Sequence, residues 1–181
     1  MLLSELIRAA LLDGSLYAQV KADAKATARA LGVVGIVALA HGVGGIVRAV
    51  AFGRDPPVES FLIGVQGEIL FWVVAASAVY LLGRHVFGAP ATYGQVLRPF
   101  GFAGVPGLLI LVAALASLLG GGAQVVVFAV LVPWRLAAGY VAVRQALGLG
   151  RAKSALVLLV GVACGLVSVG AGTAMALKVL A

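Results

Sequence analysis

Long apolar runs alternate along this chain with short polar breaks. The runs cover roughly 31–51, 61–82, 100–119, 123–143 and 155–177. An α-helix rises about 1.5 Å per residue, so about twenty residues cross a hydrocarbon core of about 30 Å. Stretches such as Leu108-Leu109-Ile110-Leu111-Val112 do not alternate between polar and apolar, which disfavours a transmembrane barrel. The pattern predicts an all-α, polytopic membrane protein with five transmembrane helices, organised as a single membrane domain over 1–181.

Ahead of the first run, residues 1–30 follow a different pattern. Leu2, Leu3, Leu6, Ile7, Ala10 and Leu11 repeat at helical spacing, with Ser4, Glu5 and Arg8 on the other side. That spacing predicts a short amphipathic interfacial helix. Glu5, Arg8 and Asp13 cut the apolar run, which argues against a cleavable signal peptide. Asp13-Gly14-Ser15 breaks this helix, and Ser15 is positioned to cap a second one from Leu16. Lys21, Lys25 and Arg29 recur every four residues as a basic stripe leading into the first span, suited to anionic headgroups.

Composition agrees with the pattern: 63% of residues are hydrophobic and 10% charged, against about 25% charged in soluble domains. The net charge of +7 reads as topology and not as a nucleic-acid surface. Arg8, Lys21, Lys25 and Arg29 precede the first span. Arg84 and Arg98 lie between spans two and three; Arg144, Arg151 and Lys153 lie between spans four and five. The other connections carry little net positive charge. Alternation of this kind predicts a cytoplasmic N-terminus and an outer C-terminus in a multi-pass inner-membrane protein. High Ala, Gly, Val and Leu, with more Arg than Lys, fits a prokaryotic source.

Breaks between spans predict the connections. Arg54-Asp55-Pro56-Pro57 reads as a rigid outer turn, Gly83 to Pro99 as the longest loop, and Gly120-Gly121-Gly122 as a tight hairpin. Within span five, Gly161, Gly165, Ser168 and Gly172 share one face and predict close helix packing, within the chain or between copies.

Ionisable residues inside spans are the first functional candidates, because burying them in hydrocarbon costs free energy. They are His41 and Arg48 in span one, Glu68 in span two and Arg135 in span four, with Gln66 beside Glu68. Depth counted from the ends of the runs pairs Glu68 first with Arg48; Arg135 competes from about 8 Å deeper. Arg135 also lies near Pro133, whose missing N–H frees the carbonyl of Ala129. These groups read either as ties that fix helix register or as a polar path. The chain has one cysteine, Cys164, and no Asn; no catalytic, metal or cofactor constellation is apparent.

One segment carries a resemblance. Thr92-Tyr93-Gly94-Gln95-Val96-Leu97-Arg98-Pro99-Phe100-Gly101-Phe102-Ala103-Gly104-Val105-Pro106 resembles the central signature of the Yip family, five-span membrane proteins named for interaction with Ypt/Rab GTPases. Gly101, Phe102 and Pro106 stand where that family has a Gly-Tyr followed by Pro at its third span. Trp134-Arg135-Leu136, the run from Arg144 to Leu149 and Ala152-Lys153-Ser154-Ala155 are similar to its fourth-span exit and last cytoplasmic loop. The longer N-terminal region and Asp-Leu-Tyr-Gly-Pro motif of eukaryotic members are missing here. The resemblance implies a non-enzymatic bundle acting in membrane organisation or as a scaffold, with the lipid bilayer, anionic lipid, a membrane protein or a second copy as partners. The alternative is a channel or small-solute transporter, or a subunit of one, using Glu68, His41 and Arg135.

Overall fold

The structure, a computed structural model, describes residues 2–53 and 56–180. Its regular elements are all helical. Two short helices, α1 (Leu2–Ala10) and α2 (Gly14–Ala22), lead into α3 (Ala26–Phe52) and α4 (Pro57–Leu81). The third span is segmented: α5 (Tyr93–Phe102), a 3₁₀ turn (Val105–Leu109) and α6 (Ile110–Ser117). Helices α7 (Gly121–Leu147) and α8 (Arg151–Leu180) complete the chain. Five helical stretches are long and apolar enough to cross a membrane: Ala26–Phe52, Pro57–Val86, Tyr93–Ser117, Gly121–Leu147 and Arg151–Lys178. The protein is thus a multi-pass helical bundle of the integral-membrane kind.

Helix boundaries differ from the apolar runs where polar residues continue a helix. Pro57 opens α4 four residues before the run begins, at the first-turn position where a missing N–H costs nothing. Thr92 and Gln95 form a reciprocal capping box that starts α5 at Tyr93, so the last seven residues of the expected loop from Gly83 to Pro99 are helix. At its other end a π-helical turn over Leu82–Val86 extends α4. Asp13, not Ser15, caps α2: its carboxylate accepts from the Ser15 N–H at 2.9 Å and from the Ser15 hydroxyl at 2.7 Å. A carboxylate is the better acceptor beside the positive end of a helix. The basic stripe is also broken, since Lys21 belongs to α2 and Lys25 is the N-cap of α3. Of the expected outer turn, Arg54 and Asp55 lie outside the described residues.

Helix α4 is the hub, packing most extensively on α3 and α8. Small residues allow it. Gly45 of α3 sits against the Ser60 carbonyl and Gly64 of α4 against the His41 carbonyl, with no room for a Cβ at either. Further along α4, Gly161 and Gly165 of α8 meet Ala75, Val79 and Phe71, and Gly172 meets Leu70 and Gln66. Three of the four small residues of span five therefore receive α4 of the same chain, while the Ser168 hydroxyl returns to the Gly165 carbonyl at 2.7 Å.

The two N-terminal helices dock on this bundle. Arg98, buried, donates to the carbonyls of Asp23 (3.0 Å) and Lys21 (2.8 Å), closing the end of α2. Lys21 donates to the Gln145 carbonyl at 3.1 Å, and the Trp134 indole to the Ala10 carbonyl at 2.8 Å. Arg29 bridges Glu5 (3.2 Å) and Asp23 (2.8 Å). Tyr17 donates to the Ala9 carbonyl at 3.1 Å, and burial pushes its phenol well above the usual range.

Candidate functional site

Glu68 lies near the middle of α4, and its side chain is 6% exposed. A lone carboxylate there would be costly, so its partners decide its role. Arg135 of α7 supplies two of them: Nη2 donates to Oε1 at 2.7 Å and Nη1 to Oε2 at 3.0 Å. This is the forked, two-point geometry that makes Arg a strong carboxylate partner. Nε2 of His41, on α3, lies 3.5 Å from Oε2. The other ring nitrogen, Nδ1, donates to the Val37 carbonyl at 2.9 Å, which fixes the ring. The Arg135 guanidinium carbon also sits 5.3 Å from the Phe71 ring centroid.

The first-choice pairing of Glu68 with Arg48 is thus replaced by Glu68 with Arg135. The reason lies in where α4 starts. Counting from Pro57 instead of Phe61 sets Glu68 about 6 Å deeper, level with the middle of α7. Arg48 remains near the C-terminal end of α3, and its Nη1 is buried with no hydrogen-bond partner among the described residues. Gln66 is separate as well. Residues two apart on an α-helix differ by about 200° in direction, and Gln66 faces Gly172 of α8. Arg135 spends two of its donors on Glu68; none of its observed bonds goes to the Ala129 carbonyl freed by Pro133.

The third span builds the remaining wall. Pro106 sits in the 3₁₀ turn, and the glycines on either side of it approach the ion pair. A Cβ at Gly107 would lie 3.2 Å from Nη1 of Arg135, and one at Gly104 3.8 Å from Oε1 of Glu68. Gly101 meets Ala30 and the Trp72 ring, and Phe102 is fully buried. Gly104 and Gly107 therefore make room for both charged groups. Sequence reasoning missed Gly104 and Gly107; the signal was there, as glycines spaced by three across a proline.

Beside the pair is a cavity of about 480 Å³. His41, Glu68 and Arg135 are its ionisable lining, and the rest is almost entirely apolar, including Phe71, Phe128 and Leu131. Arg48 and Gln66 are not part of it. Among the described residues no three His, Cys, Asp or Glu side chains converge as a metal site requires. The arrangement holds a compensated charge pair at the edge of an apolar chamber. Comparison of the chain with protein-family models, curated proteins and solved structures gives no match.

Proposed function

We propose that this protein is a non-enzymatic integral membrane protein that organises the membrane or holds partners through helix and lipid contacts, as the Yip-like segment implies. One observation carries the reading. Helix α1 turns Glu5 and Ala9 toward the bundle and leaves Leu3, Ile7 and Leu11 exposed at 71%, 53% and 74%. Those three recur every four residues, so they form one apolar stripe on a helix already fastened to the spans. In water such a stripe is a liability; against acyl chains it is a second hydrophobic surface joined to the bundle. With the N-terminus on the cytoplasmic side, as the loop charges imply, the stripe enters the inner leaflet. The exposed Lys25 and Arg144 would then meet anionic headgroups.

Deleting residues 1–14 in full-length protein reconstituted into anionic vesicles tests this. Loss of vesicle deformation and of membrane partner recovery is expected. Wild-type behaviour in both assays would remove the mechanism.

The cavity favours a second reading, permeation of a small solute or ion past Glu68, His41 and Arg135. It predicts that Glu68→Gln slows flux through reconstituted protein. Equal flux by the two proteins would count against it.

A further inference from the structure

The cavity also has a mouth, and its position points to a ligand. Val132 of α7 and Leu166 of α8 line the cavity while being 51% and 61% exposed. Both are apolar and both belong to membrane-spanning helices, so the opening between them faces lipid and not water. At their other ends the two helices close up, where Gly139 of α7 receives Leu158 of α8. Helices α4 and α7 make at most marginal backbone contact, although the ion pair joins them. The pair therefore spans a gap between helices and is not wedged in a packed seam.

What enters such a space is constrained by chemistry. The chamber is apolar beyond one polar wall, and its volume is within the usual range for small-molecule sites, about 300–1,000 Å³. Its guanidinium and carboxylate cancel in formal charge, so a charged head would stand uncompensated at low dielectric. Glu68 already accepts through both oxygens. Arg135 has five N–H donors and no acceptor; only two donors are spent on Glu68, and its side chain is 22% exposed. The unspent donors of Arg135 thus select a group that accepts.

We propose that this cavity binds an uncharged amphiphile from the bilayer: an apolar chain entering between Val132 and Leu166, ending in a carbonyl-type acceptor that takes a hydrogen bond from Arg135. A long-chain ester and a prenylated quinone share this chemistry. The site goes beyond the scaffold reading and does not depend on helix α1.

Full-length protein in lipid nanodiscs, photolabelled with diazirine-bearing probes, tests the site. Three probes are used: a long-chain ester, a prenylated quinone and the chain without a head. Saturable labelling of Leu131 or Leu166 by the ester or the quinone is expected, and the probe that labels identifies the source. Val132→Trp fills the mouth from an exposed position, so folding is retained, and labelling should fall about tenfold. The double variant Arg135→Met/Glu68→Met keeps charge balance and should cut head-dependent labelling about fivefold, leaving the headless chain unaffected. Labelling by neither headed probe, labelling that does not saturate, equal labelling of Val132→Trp, or stronger competition by a fatty-acid carboxylate than by the ester would each overturn the proposal.

Discussion

The indole N–H of Trp134 donates to the carbonyl of Ala10 across 124 residues of sequence, at 2.8 Å. Trp134 lies near the middle of α7, so this bond fastens the end of α1 to the side of that span. The last carbonyls of a helix have no intrahelical partner, and here a side-chain donor takes that place. Trp134→Phe keeps the ring and removes the donor. It should cost about 1 kcal/mol and loosen α1 first. Trypsin should then cleave at Arg8 in the variant faster than in the parent, with the spans left intact.

Arg98 seats the other N-terminal helix, closing α2 with two hydrogen bonds from a buried guanidinium. Bonds from charged donors are worth about 1.5–3 kcal/mol each at most. Arg98→Met should raise amide exchange in α2 well above that in α4, which does not depend on this contact. Equal exchange rates in variant and parent would contradict the assignment.

Removing one partner of the Glu68–Arg135 pair leaves a buried charge alone, which costs about 3–5 kcal/mol in proteins. Arg135→Met should therefore lower the unfolding midpoint more than Glu68→Met combined with it. A double-mutant cycle followed by denaturant unfolding in detergent measures the difference. Additive losses would mean that the pair contributes no coupling.

Gly165 faces the Phe71 ring, and a Cβ there would lie 2.7 Å from a ring carbon. Gly165→Leu should destabilise the bundle by about 1–3 kcal/mol through overpacking. Gly170→Leu, whose Cβ would meet nothing within 4 Å, should be silent. Thermal unfolding of the two variants provides the comparison.

Acid should act on the N-terminal helices before the spans. Hydrogen bonds from Ser15, and then from Arg8, hold the Asp13 carboxyl at about 2 against an ordinary value of 3.8. Asp23 is lowered too, chiefly by its bond from Arg29. A carboxyl held below its ordinary value stabilises the fold fully above that value, and the contribution disappears as pH falls through the lowered one. Amide protection in α2 should be flat down to about pH 4 and decline toward pH 2. Asp13→Asn should remove most of that decline.

The five spans were legible because apolar length is a one-dimensional property, set by bilayer thickness. Their ends were less legible. Pro57, Thr92 and Gln95 extend helices through polar residues, and the start at Pro57 alone carries Glu68 about 6 Å away from the level of Arg48 and toward that of Arg135. His41, Glu68 and Arg135 were readable as candidates from charge within apolar runs; which of them meet depended on helix starts and rotation. Gly104 and Gly107 were harder, since a glycine in an apolar span announces closeness without naming its neighbour. The docking of α1 and α2 was harder still, because the bonds from Trp134, Arg98 and Lys21 go to backbone carbonyls that every residue type possesses.

The bond from Lys21 to the Gln145 carbonyl, also 124 residues apart, imposes an order on biogenesis. At about 5–20 residues per second, the ribosome needs roughly 6–25 s to make the stretch between them. For that interval α2 is complete while the groove it will occupy still lacks its α7 wall. Helix α2 therefore settles late, and a ribosome stalled within the fourth span would hold a nascent protein in which Arg98 can close α2 but the Gln145 carbonyl is still missing.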